Sequence, residues 1–160
     1  MASSRADASP GGASFGPAPE WVFFTCDARR LALPLMRVRA ILPPRPFTRL
    51  PGCGPGVCGL IGQRGRIITA FDLGVVLGLR SSAAVPDHRL LLVRCAGRMV
   101  AGVVDAVSTV ASARVRPVKR RGKTMKGLAL EREDVIGIGE LDKEAFVALD
   151  PDRVLGALLA

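Results

Sequence analysis

The stretch that decides the fold is Val57 to Leu73, V-C-G-L-I-G-Q-R-G-R-I-I-T-A-F-D-L. An apolar run enters a polar turn, Gly62-Gln63-Arg64-Gly65, and a second apolar run leaves it and stops at Asp72-Leu73. Short apolar runs on either side of a Gly-containing turn predict a β-hairpin. The turn lifts one guanidinium, Arg64, out of an apolar surround, and no catalytic group accompanies it. That combination points to a docking surface rather than an active site.

The pattern returns 68 residues on. Gly59 to Leu73 aligns without gaps on Gly127 to Leu141, with Arg64 over Arg132, Ile68 over Ile136 and Leu73 over Leu141. The same offset places Leu31 to Leu35 on Met99 to Val103, and a one-residue slip places Val38 and Ile41 on Val107 and Val110. Self-similarity at a fixed offset predicts duplicated architecture. Two unrelated hairpins sharing common strand residues are the alternative.

Composition agrees with an all-β reading. Eighteen Gly and twelve Pro disfavour a helical bundle, and 49% apolar residues supply a core of Val, Leu, Ile and Ala. Short apolar runs separated by turns are expected at Trp21–Thr25, Leu31–Leu35, Val38–Leu42, Leu90–Cys95, Met99–Val104, Leu128–Leu130, Val135–Leu141 and Ala145–Leu149. Asp72 is placed to cap a short helix over 73–79. Asp150 and Pro151 open a C-terminal helix with Val154, Leu155, Leu158 and Leu159 on one face. The expected fold is two small five-stranded SH3-like barrels with a common hydrophobic core, since each alone would be marginal. The domain is expected over 21–160, with the boundary between its halves near 80–90. Residues 1–20 read as a disordered tail, because fifteen of the eighteen residues from Ala2 to Pro19 are Ala, Ser, Pro or Gly.

Chemistry-bearing residues are sparse. Cys26, Cys53, Cys58 and Cys95 form no C-x-x-C, and His88 stands alone, so no metal site is expected. No cofactor is expected either. Gly122-Lys123-Thr124 resembles the end of a phosphate loop, but the glycine required five residues earlier is Pro117. Asp72 and Asp105 end apolar runs and read as capping and turn residues, so an enzyme has almost no support. No signal segment or bilayer-length apolar run is visible, which predicts a cytoplasmic protein without membrane insertion.

The net charge of +9 admits acidic partners of several kinds. Seven cations, Arg114, Arg116, Lys119, Arg120, Arg121, Lys123 and Lys126, fall within thirteen residues. They suggest a nucleic-acid-binding barrel as the alternative function. That segment has no aromatic on which a base could stack, so nucleic acid is the lesser expectation.

The ordered segments from Trp21 onward resemble the CheW-like family of bacterial chemotaxis coupling proteins. The residues that carry the resemblance are Leu31-Ala32-Leu33-Pro34-Leu35, Val38-x-x-Ile41, Leu50-Pro51, Gly59-Leu60-Ile61 with Arg64-Gly65, Ile67-Ile68 with Asp72-Leu73, and Gly102-x-Val104-Asp105-x-Val107. The resemblance implies an adaptor that bridges a chemoreceptor cytoplasmic tip and the regulatory domain of a CheA-type histidine kinase, recruited to membrane-associated receptor arrays. It implies partner contacts at Arg64, Val38, Ala40, Gly59, Gly65, Val107 and Val110. The chain departs from the family where Gly62-Gln63 replaces an Asn-Leu pair and where Ala40 replaces a glutamate. An ion pair between that glutamate and the turn arginine is therefore impossible here.

Overall fold

The computed structural model describes residues 16–159. Most of the expected disordered tail lies outside the described residues. The described chain begins with Gly16–Pro19 lying against the sheet, where the Pro19 carbonyl accepts the Ala113 N–H at 3.1 Å.

The fold is all-β, with eleven strands among the described residues: β1 Glu20–Cys26, β2 Arg29–Pro34, β3 Val38–Leu42, β4 Val57–Gln63, β5 Arg66–Asp72, β6 Arg89–Cys95, β7 Arg98–Val104, β8 Ala106–Ser112, β9 Val115–Arg116, β10 Val135–Leu141 and β11 Glu144–Leu149. Two short helices, α1 Leu73–Val76 and α2 Pro151–Val154, follow β5 and β11. Asp72 and Asp150 cap them as expected, accepting the Val75 N–H and the Asp152 and Arg153 N–H groups. Four hairpins turn on two residues each: Asp27-Ala28, Arg64-Gly65, Ala96-Gly97 and Asp142-Lys143. All eight of these residues have positive φ, the type I′ geometry that matches strand twist.

The expected barrels are open sheets, and neither is built from one half of the chain. A six-stranded sheet runs β8-β1-β2-β11-β10-β9 and a five-stranded sheet runs β3-β6-β7-β5-β4. Each sheet takes its opening hairpin from one repeat and its remaining strands from the other. Parallel pairs join the two contributions, β2 to β11 and β7 to β5. The edges stop short of closure, because only two residues of β9 and an isolated Thr48–Leu60 bridge reach back across.

The repeat is real, but its register differs from the gapless one. Glu20 corresponds to Arg89, an offset of 69, whereas Val57 corresponds to Val135, an offset of 78. The second repeat is longer between its third strand and its hairpin, where the basic segment lies. Corresponding bulges prove the register: one falls between Val57 and Gly59, the other between Val135 and Gly137. Arg64 therefore matches Asp142, not Arg132. Arg132 instead lies in a 3-10 turn that precedes β10.

The core has three parts. Ile61, Ile68, Ala70, Leu90, Leu92, Ala101 and Val103 fill the concave face of the five-stranded sheet. Trp21, Phe23, Ala32, Phe146 and Ala148 fill the other, with Phe23 and Phe146 edge to face at 4.7 Å. Between the sheets lies the shared core, drawing on Phe24, Leu31, Phe71, Leu73, Leu91, Val104, Val147 and Leu155 among others. Each such side chain contributes about 1.5–3 kcal/mol on burial. The sheets are thus one packed body.

Two smaller expectations are corrected. Leu128–Leu130 forms no strand; Leu128 and Leu130 instead drop into the shared core with Met125. The C-terminal helix stops at Val154, and Gly156–Leu159 forms a 3-10 turn that leaves Leu158 exposed.

Candidate functional site

Strand alternation builds the site. On the five-stranded sheet, side chains two apart share a face. The concave rows run Ala70-Ile68-Arg66 on β5, Gly59-Ile61-Gln63 on β4, Leu90-Leu92-Arg94 on β6 and Val103-Ala101-Met99 on β7. Each row begins as packed aliphatic core and ends, at the same rim, in Arg66, Gln63, Arg94 or Met99. Ala40, paired with Leu92, brings β3 to this rim.

The rim encloses a groove of about 280 Å³ with Ala40, Ile68, Leu92 and Met99 as its apolar floor and Arg39, Arg64 and Arg66 around it. These three guanidiniums are exposed, and no ion pair engages them among the described residues. Gln63 is held by Arg45, which donates to its Oε1 at 3.0 Å and to the Gly62 carbonyl at 2.6 Å.

The structure thus brings Arg64 and Ala40 together, with Gly65 beside Arg64 on the turn. Gly59 lies deeper in the same sheet; a Cβ there would meet the Thr48 carbonyl oxygen at 2.4 Å. Val38 is half-buried against the shared core. Val107 and Val110 lie on β8, the edge strand of the other sheet; Val107 packs on the shared core and Val110 is 47% exposed. Arg39, Arg66 and Met99 escaped the sequence reading. The alternation of 66, 68 and 70 was the signal that could have found Arg66.

The basic segment is partly structural. Arg121 donates to the carbonyls of Leu130, Met125 and Leu128. Arg29 clamps the same segment from β2, at 2.6 Å to the Lys126 carbonyl and 2.7 Å to that of Thr124. Arg114 donates to the Gly16 carbonyl at 2.5 Å. Arg116, Lys119, Arg120, Lys123 and Lys126 remain exposed.

Asp105 and three of the four thiols lie within the fold, and Cys53 is exposed. Asp105 Oδ2 accepts the Asp27 N–H at 2.8 Å where the chain crosses from β7 to β8. Burial pushes the Cys26 and Cys58 thiols up to about 12, and raises Cys95, which leaves them poor nucleophiles and poor metal ligands. Among the described residues no group of three His, Cys, Asp or Glu side chains could hold a metal, and no helix is long and apolar enough to cross a membrane.

Comparison with known proteins places this architecture. A probable chemotaxis protein CheW from Rhizobium etli is 25% identical over 134 residues, covering 82% of this chain and 83% of the relative. A chemotaxis protein CheW from Rhizobium meliloti is 26% identical over 100 residues, covering 62% and 64%. The crystal structure of the scaffolding protein TtCheW from Thermoanaerobacter tengcongensis shares the fold with a TM-score of 0.76 at 21% identity, covering 86% of this chain and 92% of that one. A family model described as the CheW-like domain matches residues 20–158, and the chain belongs to the CheW-like family.

Proposed function

We propose that this chain is a chemotaxis adaptor that couples chemoreceptors to a CheA-type histidine kinase. The observation that carries the reading is a family match running across both sheets, over residues 20–158. The groove supports it: an exposed cationic rim around an apolar floor suits a protein surface better than a small-molecule reaction. Arg64 presents a planar donor fork suited to a carboxylate. With Ala40, Gly65, Val38 and Gly59 it forms the receptor-side contact, and Val107 and Val110 extend the partner surface on the second sheet.

The mechanism is positional. One packed body holds two partners at once, so each raises the effective concentration of the other. A conformational bias in the receptor then reaches the kinase as a shift between pre-existing states. The site of action is the cytoplasm, at receptor arrays. The basic segment offers a weaker rival reading as a nucleic-acid surface, because Arg114 and Arg121 are committed to backbone carbonyls.

The test is Arg64→Glu. Arg64 lies on an exposed turn outside the core, so the variant is expected to melt with the parent. Its capture by receptor cytoplasmic fragments should fall by about ten-fold, the loss expected of a charge-assisted contact. Unchanged capture and unchanged kinase activation would contradict the reading.

A further inference from the structure

The two concave faces end differently, and the repeat register makes the comparison residue by residue. In the six-stranded sheet the rim is closed from within. Arg30 pairs with Glu144 at 3.2 Å, donates to the Leu141 carbonyl at 2.8 Å and lies over the Phe23 ring at 5.9 Å. The counterparts in the five-stranded sheet are Met99 for Arg30, Arg66 for Glu144, Gln63 for Leu141 and Leu92 for Phe23. The one acid is replaced by a cation, and Arg39 and Arg64 add two more. Among the described residues no acid neutralises this rim, and the aliphatic floor beneath it stays open.

We propose that this rim is completed from outside, by a protein partner segment that sets a carboxylate among Arg39, Arg64 and Arg66 and an adjoining aliphatic side chain on Ala40, Leu92 and Met99. The partner's carboxylate plays the part that Glu144 plays within the other sheet. Charge complementarity selects an acidic ligand, and the apolar floor selects a side chain that sheds water. An acidic amphipathic helix meets both demands, presenting Glu and Leu one turn apart. Phosphate groups meet only the first. This inference rests on the reading of the groove as a partner surface and adds the chemistry of what enters it.

The experiment is a methyl and amide NMR titration of the full chain with a short amphipathic peptide carrying Glu and Leu one turn apart, and with its Gln counterpart. The Glu peptide should shift the Met99 methyl and the Ala40 and Leu92 amides. The Gln peptide should bind about ten-fold more weakly. Arg66→Glu restores the acid found in the other repeat, so it should close the rim on Arg39 and Arg64, keep the fold and lose the peptide. Arg66→Gln should fall between. Equal binding of both peptides, undiminished binding to Arg66→Glu, or equal Met99 shifts from an oligonucleotide or phosphatidylglycerol vesicles would overturn the proposal. If Arg66→Glu still joins receptor and kinase, only this inference fails. If the parent chain fails to join them, the adaptor reading fails and the titration still decides the groove.

Discussion

Arg37, just before β3, and Asp152, in α2, are bound face to face across the two repeats: Nη1 to Oδ1 at 2.9 Å and Nη2 to Oδ2 at 2.6 Å. Asp152 also accepts the Ala96 N–H at 2.8 Å, so one carboxylate ties a crossover, a hairpin turn and the C-terminal helix. The Arg37 hydrogen bonds, then that N–H, hold its carboxyl down at about 2. An unfolded aspartate titrates near about 3.9. The folded value is the lower one, so the contribution is present at neutral pH and lost as pH falls from about 4 towards 2. The pair is partly exposed, which limits it to about 1 kcal/mol. Urea melts of Asp152→Asn should show that loss at pH 7 and little loss near pH 2. An equal loss at both would contradict the assignment.

Gly59 and Gly137 occupy the same bulge in the two repeats, and added Cβ atoms would meet backbone oxygens of Thr48 and Arg116 at 2.4 and 2.5 Å. Gly59 also has φ of 140°, which L side chains rarely adopt. Gly59→Ala should cost about 2–4 kcal/mol in denaturant unfolding. Gly62, on the same strand with open space around its Cβ position, is the control and should lose less than about 1 kcal/mol when changed to Ala. Partner binding lost by Gly59→Ala in step with the melt would mark a folding effect, and loss at an unchanged melt would mark the direct contact.

Asp72 and Asp150 are repeat counterparts with unequal duties. Asp72 is only 3% exposed and accepts from the Val75, Ser82 and Ala83 N–H groups and from Ser81 Oγ at 2.5 Å. It anchors the linker between the repeats as well as capping α1. Among the described residues, the Asp150 side chain accepts from the Asp152 and Arg153 N–H groups alone. Asp150→Ala should cost about 1 kcal/mol, the loss of one cap. Asp72→Ala should cost about 3 kcal/mol or more, because several donors lose their acceptor. Faster amide exchange at residues 82 and 83 would mark the loosened linker.

Local rules carried much of the fold. Both helix caps, the Arg64 hairpin, most strand positions and the shared core follow from apolar periodicity, turn residues and Asp before a short helical run. The exchange of hairpins between sheets did not, because a parallel pair such as Leu31 with Val147 leaves no local trace in either strand. The gapless repeat misled at Arg132, since the basic segment lengthens the second repeat and identical residues fell into a false register. For the groove, Arg64 was legible in its own turn, and Ala40 came from the family pattern. Arg66 was passed over because its neighbour Ile67, 78% exposed on the opposite face, interrupts the look of a clean strand. Met125 was hidden among cations, and Leu128 and Leu130 read as a strand; the Arg121 guanidinium instead holds the carbonyls of all three core residues.

In the proposed coupling, one rigid body holds receptor and kinase at the same time. The direct measurement is analytical ultracentrifugation of the full chain with a receptor cytoplasmic fragment and a CheA-type regulatory domain, each pair alone and all three together. A ternary species with all three components is expected, lost in Arg64→Glu at an unchanged melting temperature. Two binary complexes that displace one another, with no ternary species, would contradict it.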